Sequence, residues 1–361
     1  MSRLEDLPLR DDLRGRTPYG APQLDVAVRL NTNENSYDVP AEVVTAVVDA
    51  VAREVPHLNR YPDREFAALR RDLAAYLGHH LAPDQVWAAN GSNEVLQQLL
   101  QAFGGPGRTA LGFTQAYSMH PIISNATGTA WVDGRRDADF DLDSRHVATQ
   151  VADIDPDVVF LCSPNNPTGT ALSPDVVRAA CEAARGMVVV DEAYAEFARD
   201  GAATAVSLLP GRPRLVVTRT MSKAFTFAGA RLGYLAADPA VCDALRLVRL
   251  PYHLSSLTQA AARAALAHAG TLLATVDAIK AQRDRIVTEL PGLGLHPVPS
   301  DANFVLFGGL DDEKRTWQEL LERGVLVRDV GIRHHLRVTA GTPDETTAFL
   351  DAIRDTRGAT P

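Results

Sequence analysis

The chain has 361 residues, of which 46% are hydrophobic and 22% charged, with a formal net charge of −9. At about 100–200 residues per domain, that length implies two or three domains, large enough to bury a core without disulfide or metal staples. The acidic balance argues against a general nucleic-acid binder, which needs a basic face toward phosphates, but leaves room for small anions held by a local cluster of donors.

No run reaches the ~18 apolar residues of a membrane helix, and residues 1–10 lack the apolar core of a signal peptide. Cys162, Cys181 and Cys242 form no C-x-x-C pair and read as reduced thiols of a cytoplasm-like compartment. Of the 36 basic side chains only Lys223, Lys280 and Lys314 are lysines, so chemistry that needs a primary amine has three candidates.

Residues 1–36 read as an irregular arm, with Pro8, Pro18, Gly20 and Pro22 and a polar run from Asn31 to Ser36. A helix is expected with Pro40 at its first position and Val44, Val47, Val48 and Val51 on its apolar face. Asp63 is the expected N-cap of a second helix carrying Phe66, Leu69, Leu73 and Leu77 on one side. Short apolar runs then occur at 86–89, 109–113, 129–132, 158–161, 187–190, 215–218 and 232–236, alternating with helical stretches. This pattern predicts an α/β domain built on a mostly parallel seven-stranded sheet flanked by helices.

Beyond Pro251 a long Ala-rich helical stretch is expected from 259 toward 290. A strand at 303–307, a helix at 314–323, strands near 325–328 and 336–339, and a helix after Pro343 complete a smaller α+β domain. The expected division is an N-terminal arm at 1–36, a large domain at 37–255 whose residues 37–56 can also pack against the small domain, and a small domain at 256–361. Arg70-Arg71, Arg135-Arg136, Lys280 and Lys314 read as solvated. His79-His80 and His334-His335 lack the i,i+4 spacing of a helical zinc site, so no metal is expected.

In an open parallel sheet, ligands sit outside the carboxyl ends of the strands, and four strand-end segments carry suitable groups. Asn90-Gly91-Ser92-Asn93-Glu94 opens a helix, where free N–H groups and a positive dipole end suit a phosphate; an ordinary helix cap reads the same way. Ser163-Pro164-Asn165-Asn166-Pro167-Thr168-Gly169 is a rigid turn that presents Asn166. Asp191-Glu192-Ala193-Tyr194 ends a buried strand with a carboxylate, which is costly without a cation or donors. Ser222-Lys223-Ala224-Phe225, followed by Arg231, offers an amine, a hydroxyl and a guanidinium. Desolvation of Lys223 would favour the neutral amine needed for a Schiff base. Together these groups fit pyridoxal phosphate: a helix start and an arginine for its phosphate, a lysine for its aldehyde, a carboxylate for its ring nitrogen, and an amide and a phenol for its ring oxygen. No G-x-G-x-x-G follows a first strand, which disfavours a dinucleotide.

The order N-G-S-N-E, S-P-N-N-P-T-G, D-E-A-Y and S-K-A-F…G-A-R-L-G-Y resembles the fold-type-I pyridoxal-phosphate aminotransferases. Arg16-Thr17-Pro18-Tyr19, the run from Leu30 to Asn35, Arg60-Tyr61-Pro62-Asp63 and the run from Leu336 to Thr342 are similar to the histidinol-phosphate aminotransferases, from about residue 14 to 350. The resemblance implies a cytoplasmic homodimer that moves an amino group between L-histidinol phosphate and 2-oxoglutarate or L-glutamate in histidine biosynthesis, with no nucleic-acid or membrane partner. By resemblance, Lys223 carries the cofactor and moves the proton, Asp191 pairs with the ring nitrogen, and Asn166 and Tyr194 hold the ring oxygen. Tyr117 stacks on the ring; Ser92, Asn93, Ser222 and Arg231 bind the phosphate; and Tyr61 reaches the neighbouring subunit's cofactor. Arg337 clamps the substrate anion, and Arg328, Tyr19 and Asn33 line the substrate pocket. Two positions depart from the pattern: Ser36 stands where the family commonly has proline, and Asn93 where many relatives have aspartate. An aromatic or broad-range aminotransferase, a phospho-amino-acid decarboxylase and a non-catalytic cofactor-binding regulator remain as rival readings.

Overall fold

The computed structural model describes residues 3–199 and 203–358. The arm contains single 3₁₀ turns at Leu4–Asp6 and Asp11–Leu13 and a short strand, β1 (Val28–Arg29). Helices α1 (Ala41–Glu54) and α2 (Ala67–Leu77) lead into the large sheet. Its strands are β2 (Val86–Ala89), β3 (Thr109–Thr114), β4 (Ala130–Arg135), β5 (Val158–Cys162), β6 (Met187–Asp191), β7 (Leu215–Thr220) and β8 (Gly233–Ala237). Between them run α3 (Ser92–Phe103), α4 (Met119–Ala126), α5 (Ser144–Ile154) and α6 (Pro174–Ala183). Then come α7 (Pro239–Val248), α8 (Ser256–Ala267), α9 (Ala269–Leu273), α10 (Val276–Glu289), β9 (His296–Pro297), β10 (Phe304–Gly308), α11 (Glu313–Glu322), β11 (Val325–Leu326), β12 (Leu336–Thr339) and α12 (Pro343–Gly358).

Each of the seven expected runs is a strand, in the order β2-β8-β7-β6-β5-β3-β4. All neighbours are parallel except β8, which is antiparallel to both β2 and β7. Strands β2, β5, β6 and β8 are buried along their whole length, which is why they read as continuous apolar runs rather than alternating ones. The register lines up Cys162, Asp191 and Thr218 in one row at the carboxyl ends of β5, β6 and β7. A second hydrophobic cluster, built from β10, β12, α10 and α12, also takes in Leu30 of the arm and Tyr194, Phe197 and Ala224 from large-sheet loops. The two bodies therefore meet at the strand ends that carry the chemistry.

Several local expectations differ. Pro40 is the N-cap of α1, not its first residue. On α1, Val43 is the residue that is fully buried, whereas Val44 and Val48 are exposed. Helix α8 packs along the Val43 side, so of the valine stripe read from the sequence Val47 packs against the core while Val44 and Val48 point outward. The Ala-rich helical stretch is divided into three helices. It breaks at His268 (φ −113°, ψ 25°), whose N–H bonds the carbonyl of Ala265, three residues back. Arg70 is buried and donates to the carbonyls of Pro83 and Val86, each at 2.8 Å. Arg136 donates to the Phe113 and Phe140 carbonyls, and Lys280 is half-buried 3.7 Å from Asp277. Guanidinium donors so used meet backbone carbonyls at strand ends and turns. Lys314 is exposed, as expected.

Candidate active site

A cavity of about 460 Å³ opens at the carboxyl ends of β5, β6 and β7 and reaches the arm and β12. Asp191 lines it and is 1% exposed. Its Oδ2 lies 3.1 Å from His120 Nε2, and its Oδ1 accepts from Thr218 Oγ1 and the Ala193 amide, each at 3.3 Å. Among the described residues no lysine or arginine pairs with this buried carboxylate, so it has capacity left for a cation in the cavity.

Lys223 follows β7 and is the one lysine that lines the cavity. Its Nζ donates to the Thr32 carbonyl at 2.9 Å. Burial, assisted by the positive charges of Arg337 and Arg231 and opposed by Glu34, pushes its ammonium down to about 8. The neutral amine is the nucleophile. The rate at which the cofactor-free protein takes up pyridoxal phosphate is therefore expected to fall about tenfold per pH unit below about 8 and to level off above it. Stopped-flow absorbance across pH 6–10 measures this, and a flat profile contradicts it.

The arm crosses the cavity as a strap. Asn31 gives its carbonyl to Arg337 Nη2 (2.8 Å), Thr32 gives its carbonyl to Lys223, and Asn33 Nδ2 donates to the Tyr194 hydroxyl (3.0 Å). Asn33 is held in turn by Thr339 and Asn303, and its φ of 56° is the left-handed turn that asparagine tolerates. The Tyr194 hydroxyl also accepts from Asn166 Nδ2 at 3.3 Å. Burial pushes the phenols of Tyr194 and Tyr117 upward, keeping both protonated.

The opposite end is a cradle. Gly91 (φ 86°) caps α3 without a side chain, which leaves the first helix amides facing the cavity beside Ser92 and Asn93. A Cβ on Gly91 would fall 2.3 Å from Arg231 Nη2, and one on Gly233 would fall 2.0 Å from the Ser92 amide, so both positions require glycine. Arg231 Nη1 donates to Ser222 Oγ at 3.3 Å, and Tyr117 donates to Asn93 Oδ1 at 3.2 Å.

Arg337, on β12, is 6% exposed. Its Nη1 donates to Asn166 Oδ1 at 2.5 Å, its guanidinium lies 5.0 Å from the Phe304 ring, and its Nε has no partner. Burial lowers it to about 10, so it keeps its charge. Arg328 lies over the Tyr19 ring at 5.8 Å, and both line the cavity. The structure thus gathers Tyr19, Asn33, Ser92, Asn93, Tyr117, Asn166, Asp191, Tyr194, Ser222, Lys223, Arg231, Arg328 and Arg337 around one space. Tyr61 lies outside it, 79% exposed. Sequence reasoning missed His120, which backs Asp191 and stacks on Phe160 at 4.8 Å. It also missed Asn303 and Thr339, which hold the strap. His120 and Asn303 stand in no motif, and the run that contains Thr339 does not show its role; burial beside the site reveals all three.

Residues 26–353 match the family described as aminotransferase class I and II. The histidinol-phosphate aminotransferase of Paenarthrobacter aurescens (strain TC1) is 62% identical over 356 residues, covering 98% of this chain and 96% of that protein. That of Frankia casuarinae is 64% identical over 357 residues, 97% and 90% of the two chains. A crystal structure of histidinol-phosphate aminotransferase from Sinorhizobium meliloti in complex with pyridoxal-5′-phosphate superposes with a TM-score of 0.82 at 25% identity, covering 92% of each chain. The residues here fit that cofactor: a glycine-dependent cradle for an anion, a half-buried amine, and a buried carboxylate with no fixed cation. Matching from the arm to the last helix in sequence, and over nearly its whole length in fold, the chain belongs to the class I and II aminotransferases, which depend on pyridoxal phosphate.

Proposed function

We propose that the chain transfers the amino group of L-histidinol phosphate to 2-oxoglutarate, giving imidazole acetol phosphate and L-glutamate, as a step of histidine biosynthesis. Relatives at 57–64% identity carry that name. The observation that carries the reading is Arg337: a charged, buried guanidinium with an unpartnered Nε, facing the cavity beside Arg328. Both amino donors bring an anion, phosphate in one and carboxylate in the other, and planar guanidinium donors accept either. Phenylalanine would meet Arg337 through its carboxylate, but its ring needs an apolar wall, whereas Tyr19, Asn33 and Arg328 give this cavity a polar one. The ratio of kcat/KM for histidinol phosphate over phenylalanine is expected to be on the order of 10² or more. A preference for phenylalanine refutes the assignment and favours an aromatic aminotransferase.

Bound pyridoxal phosphate supplies an electron sink for the substrate α-carbon. Lys223 would hold it through its amine and would move the proton at the substrate α-carbon. Asp191, held by His120 and Thr218, keeps the ring nitrogen protonated. Asn166 and Tyr194 hold the ring oxygen, and Tyr117 covers the ring. The Ser92 and Asn93 amides, Ser222 and Arg231 grip the phosphate. Asn33, Tyr19, Arg328 and Arg337 orient the substrate. Tyr61 acts in trans in a homodimer with shared sites. The exposure of Tyr61, and that of the outward-facing Val44 and Val48, supports a second copy that covers them. The free thiols of Cys162, Cys181 and Cys242 are consistent with a cytoplasmic setting. No helix among the described residues is long and apolar enough to cross a membrane.

A further inference from the structure

Tyr61 and Tyr252 form a stacked pair, with ring centroids 4.4 Å apart and planes 13° from parallel. Tyr61 is 79% and Tyr252 40% exposed. Holding an exposed side chain in one pose costs rotamer entropy, and a ring stack is a contact able to offset that cost. Tyr252 also adopts a left-handed backbone, φ 59°, which persists in a bulky residue only where its surroundings impose it. The next residue supplies the anchor. The His253 carbonyl accepts from Asn90 Nδ2 at 2.8 Å, its Nε2 lies 3.0 Å from the Ala88 carbonyl, and its ring stacks on Trp87 at 5.7 Å and 10°. Asn90 opens the phosphate cradle, and its own amide donates to Glu94 at 2.8 Å. One peptide therefore separates the Tyr252 ring from the framework of this subunit's cradle.

We propose that Tyr252 is a positioning residue: its anchored ring holds Tyr61 in the pose from which the Tyr61 phenol donates to the phosphate of the neighbouring subunit's cofactor. The proposal rests on the shared-site homodimer described above. It ties the cradle of one subunit to the phosphate grip of the other through Asn90, His253, Tyr252 and Tyr61. No chemistry is assigned to the Tyr252 hydroxyl; the flat ring face is what acts.

The test measures cofactor retention by the holoenzyme, dialysed against graded pyridoxal phosphate and read by absorbance, and repeated with pyridoxal, which lacks the phosphate. Y61F removes a hydrogen bond to a charged group and is expected to weaken pyridoxal phosphate binding about tenfold or more. Y252L keeps apolar bulk but not the flat face, and is expected to weaken binding about three- to tenfold, while Y252F matches the native protein. The double variant Y61F/Y252L is expected to bind as Y61F does, because both changes remove the same hydrogen bond. Pyridoxal binding is expected to stay constant across the series. Native affinity in Y252L with weakened affinity in Y61F overturns the role of Tyr252 and leaves the shared site standing. Native affinity in Y61F overturns both. Additive losses in the double variant, or equal losses with pyridoxal, show that Tyr252 acts on the fold rather than through the phosphate and overturn the proposal.

Discussion

Replacing Lys223 with alanine abolishes amino transfer, with an expected loss of at least about 10⁴ in kcat/KM, the upper end of what a positioned proton-transfer group contributes. No other lysine can stand in, because Lys280 and Lys314 lie on α10 and α11 and neither lines the cavity. Arginine at 223 would not rescue, since a guanidinium stays protonated and is no nucleophile. Glutamate formation from histidinol phosphate and 2-oxoglutarate measures the loss. Borohydride reduction of the native holoenzyme, followed by peptide mass mapping, is expected to place the cofactor on residue 223. Normal turnover by the variant, or an adduct elsewhere, removes the catalytic assignment.

The second large effect is expected at Arg337. Truncation to alanine removes one partner of a buried, hydrogen-bonded charge, a loss of about 2–5 kcal/mol, or roughly 30- to several-thousandfold in kcat/KM. The loss is expected with histidinol phosphate and with 2-oxoglutarate alike, because one guanidinium serves both anions. Asn166 Oδ1 and the Asn31 carbonyl also lose their donors, so folding stability is expected to drop by about 1–3 kcal/mol in chemical denaturation. Lysine at 337 recovers charge without the planar fork and rescues poorly. If KM rises for only one of the two substrates, the anions do not share this residue.

The large sheet was legible because its central strands are buried on both faces, so Val158–Cys162 and Met187–Asp191 appear as unbroken apolar runs. Where burial is one-sided, the pattern misled. The outward valines of α1 are as apolar as the inward ones, and apolarity alone does not say which partner each face meets. The break at His268 lies in an Ala-rich stretch without proline, where Gly270, two residues on, is the one weak local signal. Arg70 and Arg136 read as solvated because charged residues usually are; the carbonyls that recruit them, among them Pro83, Val86 and Phe113, are brought to them only by the fold.

The sequence by itself determined the chemical inventory and its local presentation: one lysine after a strand, a carboxylate at a strand end, a glycine where a helix opens, and the motifs of a family. These depend on neighbours a few residues apart, whose spacing sets the direction of a side chain. Only the tertiary structure decided that the Asn33 amide meets Thr339 Oγ1 across 306 residues, that Arg337 faces the cavity with its fork half used, and that His120 backs Asp191. Those contacts follow from the packing of the whole chain, where burial leaves a polar group only the partners that the fold brings to it.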